Sequence, residues 1–212
     1  MNQLPSNLLE SMKDALAVEL GVDRDFDTGA SLLVVTGANA AGKSLLRRWF
    51  SMIFQQEKIE SIHLSQQGRA AEGVMRAFVY GDESNESTGV ISAGTFQGGM
   101  RTMRGREKPH AVIWDEPEIG MGEELQVGTV NWLCDELKDW PENLQGVVLF
   151  THSRLFVQRA MQFPGAKWMS MDGYATADEW LNREIVPITP PEVSTKGVEK
   201  FRRISKILKK GK

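Results

Sequence analysis

Eight consecutive residues, Gly37-Ala38-Asn39-Ala40-Ala41-Gly42-Lys43-Ser44, fit the pattern G-x-x-x-x-G-K-[ST] at every fixed position. They follow an apolar run, Leu32-Leu33-Val34-Val35, and precede a helical pattern. In that strand–loop–helix setting each residue type has a reason. Gly37 and Gly42 let the backbone turn tightly and aim N–H groups at phosphate oxygens, with Asn39, Ala40 and Ala41 spanning the curve. The N-terminus of the following helix adds the positive end of its dipole. Lys43 is expected to reach the β- and γ-phosphates of a nucleotide, and the Ser44 hydroxyl to ligate Mg²⁺. The bland alternative is an ordinary glycine-rich turn.

Two more apolar runs end in groups that could do chemistry. Val112-Ile113-Trp114-Asp115-Glu116-Pro117 reads as a buried strand carrying two carboxylates to the C-terminal edge of a sheet. Asp115 is expected to hold Mg²⁺ through water. Glu116 is expected to be the base that polarises an attacking water, a role worth about 10²–10⁴-fold in rate. Val147-Val148-Leu149-Phe150-Thr151-His152 ends in an imidazole that could hydrogen-bond a γ-phosphate and sense its loss. Surface acids after a strand and a structural histidine are the plainer alternatives.

Strands must deliver these groups, and the pattern supplies them. Residues 31–36, 59–65, 111–114, 146–151 and 167–171 read as strands. Residues 43–58, 92–104, 123–140 and 153–161 read as helices, with apolar stripes such as Leu45, Leu46, Trp49, Phe50, Ile53 and Phe54. Residues 7–17 read as an amphipathic helix, with a cap-like Asn7 and Glu10 pair and Leu8, Leu9, Met12 and Leu16 on one face. Residues 69–80 fit helix or strand, and 81–89 a polar loop. Alternating strands and helices predict an α/β fold, a mostly parallel sheet flanked by helices. Residues 1–186 form the expected domain, 187–195 a proline-rich linker and 196–212 a basic amphipathic C-terminal helix.

A chain of 212 residues can bury about 70% of its unfolded surface without disulfides or structural metals. Cys134 stands alone, which suits a reducing cytoplasm. Residues 1–20 carry four charged side chains and no apolar core of a signal peptide, and no apolar run approaches a membrane span. The expected location is the cytoplasm, with no direct membrane insertion. Residues 196–212 hold eight Lys/Arg and one Glu, a net of +7; against the whole chain's −3, the remainder carries −10. A basic tail on an acidic body could pack on that body, or dock to nucleic acid or an acidic protein partner.

Together the phosphate loop with Asn39, the Asp115-Glu116-Pro117 triplet and Thr151-His152 resemble the ATP-binding-cassette (ABC) ATPase family. The family signature L-S-G-G-Q lies about two dozen residues before the carboxylates. At that offset stands Ile91-Ser92-Ala93-Gly94-Thr95, matching at Ser92 and Gly94 and departing at Ala93 and Thr95. The resemblance implies a P-loop NTPase fold over residues 31–153 that binds ATP with Mg²⁺. It implies hydrolysis with Glu116 as base, His152 as switch, and Gln66 or Gln67 touching the metal and water. It also implies an ATP-dependent homodimer in which Ser92, read as a helix cap, and Gly94 grip the nucleotide of the other subunit. Gly122 stands where the family carries an Asp. Adenine stacking has no evident aromatic; Phe26 is nearest and reads as core.

The short span from Gln67 to Ile91 leaves no room for a long coiled coil and space for only a small helical insertion. The chain therefore looks like a soluble, reduced cassette, an ATPase driving a change in some partner. A nucleotide-gated dimerisation module with little turnover is the second reading, and a P-loop kinase the third.

Overall fold

The computed structural model describes residues 3–65 and 87–209. The expectations at Gln66, Gln67, residues 69–80 and most of the loop 81–89 lie outside those residues. The strands are β1 (Leu32–Thr36), β2 (Glu60–Ser65), β3 (His110–Asp115), β4 (Leu144–Thr151) and β5 (Ala166–Ser170). The helices are α1 (Asp14–Leu20), α2 (Lys43–Gln56), α3 (Thr88–Arg104), α4 (Glu123–Lys138), α5 (Arg154–Ala160), α6 (Ala177–Asn182) and α7 (Pro190–Lys209). The strands pair in parallel in the order β2-β3-β4-β1-β5.

Their apolar runs are continuous because both faces of the sheet are covered. Leu33, Val35, Ala111, Ile113, Val148 and Phe150 face one core, with α1, α2 and Ile204 of α7. Leu32, Val34, Val112, Trp114, Val147 and Leu149 face the other, with α3, α4, α5 and Trp180 of α6. Right-handed crossovers explain the division. The step from β1 to β2 runs one way along the sheet and puts α2 on one face. The remaining steps run the other way and put α3, α4 and α5 on the opposite face. The connection leaving β1 heads to one edge, whereas that leaving β4 passes β1 to reach β5. At such a reversal a crevice opens beyond the C-terminal ends of β1 and β4.

Three local expectations are corrected. Residues 7–17 do not form one helix: residues 6–12 make successive turns and α1 begins at Asp14. The Leu8 carbonyl accepts from the Trp49 indole at 2.9 Å, and the Leu8 N–H donates to Thr28 Oγ1 at 3.2 Å, so tertiary bonds take the groups a helix needs. Replacing Trp49 with Phe is expected to lower stability by about 1 kcal/mol, read from the urea midpoint. Residues 187–195 are not all linker, because α7 starts at Pro190. Both prolines sit in the first turn, where their missing N–H groups have no helical partner. The Thr189 N–H and hydroxyl each donate to Glu192 Oε2 at 2.7 Å, fixing that end. Finally, α3 starts before residue 92. Ser87 is its cap, accepting from Val90 N–H. Among the described residues no helix is long and apolar enough to cross a membrane.

Candidate functional site

The loop from β1 to α2 occupies the crevice beside β4. Its curve requires left-handed backbone at Ala40 (φ 65°) and Gly42 (φ 100°). The φ at Gly42 strains any other residue, and a Cβ there would also lie 2.6 Å from Leu20 Cδ2, which would have to shift. Gly37 is held similarly close, its added Cβ 3.1 Å from the Cβ atoms of Ala41 and Met171. The Ala38 N–H donates to Asp172 Oδ1 beyond β5 at 2.8 Å. Gly42 sits at the cap of α2 and brings no side chain to that helix's first N–H groups.

Lys43 is buried in the first turn of α2. Its Nζ donates to the Gly37 carbonyl at 2.9 Å, and lies 2.5 Å from His152 Nε2 and 3.7 Å from Glu116 Oε1. Burial pushes its pKa down, and the charges of Glu116, Asp115 and Asp172 oppose that push. Asp115, at the end of β3, pairs with Arg47 one turn along α2. Burial raises the Asp115 pKa, and Arg47 counters it. Glu116 follows with φ 50°, an unusual backbone state for a side chain of its size. Its Oε1 accepts from His152 Nε2 at 2.8 Å, and that hydrogen bond holds its carboxyl below the ordinary value. A neutral imidazole gives Nε2 a choice: as N–H it donates to Glu116, and in the other tautomer it accepts from Lys43.

A further carboxylate supports this cluster from behind. Glu118 Oε1 accepts from Thr151 Oγ1 and from the His152 N–H, each at 2.8 Å. Its Oε2 is buried with no partner among the described residues. Burial raises the Glu118 pKa above its ordinary value.

The sheet thus gathers Gly37, Gly42, Lys43, Asp115, Glu116 and His152 at one edge. Asn39, Ala40, Ala41 and Ser44 line a cleft of about 610 Å³ there. Its opposite wall is α7, with Gly197, Lys200, Phe201 and Ile204. Ser92 and Gly94 are placed differently from the helix-cap expectation. Ser92 lies within α3, fully buried, with its hydroxyl on the Thr88 and Ile119 carbonyls. It is turned inward because the helix starts at Ser87. Gly94 lies beyond it, with nothing within 4 Å of an added Cβ. Phe26 packs against the core, as expected. Sequence reasoning missed Arg47, Glu118 and the α7 residues. Arg47 had a signal, standing one helical turn after Lys43; Glu118 had none, since its role depends on the neighbouring strand.

These features define an α/β protein with a five-stranded parallel sheet flanked by helices and a polar cluster at its switch point. No protein-family model matches the chain, and no curated protein matches it in sequence. Among solved structures it is similar to Saccharomyces cerevisiae RIF2, with TM-score 0.43 and 13% identity over 90% of this chain and 62% of that one. It is also similar to C. elegans PCH-2, with TM-score 0.36 and 16% identity over 74% of this chain and 38% of that one. It therefore spans less than two thirds of either protein, and both likenesses are too slight to carry function across.

Proposed function

We propose that the chain binds Mg-ATP in the 37–44 loop and hydrolyses it, as a P-loop NTPase of the ABC class. One observation carries this reading: loops from three strands bring Lys43, Glu116 and His152 to within 2.5–3.7 Å of one another at the switch point. Lys43 exchanges the Gly37 carbonyl for the β- and γ-phosphates, and the negative charge there favours the ammonium that burial disfavours. Glu116 orients the attacking water and accepts its proton. His152, within reach of both Lys43 and Glu116, hydrogen-bonds the γ-phosphate and registers its loss.

Among the described residues no group of three or more His, Cys, Asp or Glu side chains could hold a metal unaided. Ser44, and Asp115 with its carboxylate shared with its partner Arg47, would hold Mg²⁺, which keeps waters and binds through few carboxylates plus substrate phosphates. An ion held there would supply charge neutralisation to the nucleotide's phosphates. The direct test is steady phosphate release from Mg-ATP. The purified chain should release phosphate above background and Lys43→Ala should not. Equal release by both proteins would remove the loop from the reaction.

A second reading, nucleotide-gated association with little turnover, draws on Ser92. Its hydroxyl is turned into the protein and supplies no grip across a dimer. Two copies closing around ATP would use the α3 N-terminus at Ser87 instead. ATP-dependent dimers without phosphate release would favour this reading.

A further inference from the structure

We infer that α7 is the base-side wall of the nucleotide site, with Phe201 stacking on the purine and Lys200 facing the phosphates. This rests on the nucleotide reading above and adds a recognition element to it. The 37–44 loop and α7 approach each other closely: a Cβ on Gly197 would lie 3.5 Å from Ala40 Cβ, and one on Gly42 would lie 3.5 Å from Lys200 Cε. Side chains beside and behind the cleft hold the helix to the body. Ile204 is buried, Ile207 packs against the core, and Arg203 Nε donates to Glu19 Oε1 at 2.8 Å. That seating leaves Phe201 70% exposed on the cleft that Asn39, Ala40 and Lys43 also line.

An exposed phenyl ring beside a polar phosphate cradle calls for a flat partner. It is the one aromatic side chain lining the cleft among the described residues. The cleft volume, about 610 Å³, suits a nucleotide. Basic side chains stand close by: Lys196, Lys200 and the Glu19-paired Arg203 border the 38–41 turn, together with Asp172 and Glu199. Burial lowers the Lys200 pKa, and an adjoining polyphosphate would oppose that push. The basic helix, on this account, meets its polyanion inside its own chain.

The experiment is calorimetric titration of the full chain with Mg-ATP and, separately, with Mg-tripolyphosphate, which has the phosphates without the base. Phe201→Ala should weaken ATP binding about 5- to 150-fold, the range of a lost base–aromatic stack. It should leave tripolyphosphate binding unchanged, and Phe201→Trp should keep ATP affinity. Lys200→Ala should weaken both ligands. The exposure of Phe201 keeps its replacement from disturbing the fold. Wild-type ATP affinity in Phe201→Ala, or an equal loss for both ligands, overturns the stacking role while leaving the nucleotide reading intact. Tighter ATP binding in that variant would make α7 an obstructing strap and also overturn it. Absence of binding by either ligand to the wild-type chain overturns the nucleotide reading and this inference together.

Discussion

Glu116→Gln is expected to lower ATP turnover about 10²–10⁴-fold, the usual worth of a positioned general base, and to leave Mg-ATP binding in place. The substitution keeps the size of the side chain and an oxygen for His152, and removes the proton acceptor. The backbone at φ 50° is already held by the Glu116 N–H bond to the Phe150 carbonyl at 2.9 Å, so the amide inherits the same position. A bound but unreacted nucleotide should then accumulate, and with it any ATP-dependent dimer, visible by light scattering. The hydrogen bond from His152 holds the Glu116 carboxyl below its ordinary 4.5. Its basic form therefore persists below that pH, and Glu116 should not be the group that ends activity in mild acid. Phosphate-release assays across pH check both points. Full turnover by Glu116→Gln would remove it from the chemistry.

Glu118→Ala should be the more damaging change to the fold, although Glu118 touches no expected ligand. It strands two donors, the buried Thr151 hydroxyl and the His152 N–H, at about 1–3 kcal/mol for each group left without a partner. It also releases the backbone that aims His152 at Lys43 and Glu116. Glu118→Gln keeps an accepting oxygen for both donors and should fold well. Because burial raises the Glu118 pKa, its charged form is disfavoured in the native state. That penalty is present above the folded pKa and disappears as pH falls through it towards 4.5. The Gln variant should therefore be the more stable protein at neutral pH, with its advantage shrinking on acidification. Urea melts of the three proteins measure this. An Ala variant as stable as wild type would deny Glu118 its supporting role.

The parts of the site that sequence made legible are those held by continuous apolar runs. Leu32 to Val35, Val112 to Trp114 and Val147 to Phe150 had to be doubly covered strands, so the residues after them had to share one sheet edge. Asp115, Glu116 and His152 followed from that, and Lys43 from the spacing of the 37–44 loop after the first of these strands. What sequence missed depends on tertiary partners. The 7–17 pattern has helical spacing, yet Trp49 and Thr28 claim its backbone groups. Ser92 resembled a cap because the spacing to Asp115 suggested it, while Ser87 competes for the same role and wins. The start of α7 was readable in principle: Thr189 and Glu192 have capping-box spacing, and the prolines between them suit a first turn. The seating of α7 over the 37–44 loop was not readable, since no periodicity states which surface a helix covers.

The most direct test of the central claim is the melting temperature of the full chain with and without Mg-ATP, beside Lys43→Ala. At 100 times its dissociation constant, a ligand specific to the native state adds about 2.7 kcal/mol, or roughly 5–11 °C for a chain of this size. The wild-type protein should show that rise and Lys43→Ala should show none against its own baseline. A wild-type melt indifferent to Mg-ATP, or an equal rise in both proteins, would contradict nucleotide binding at this loop.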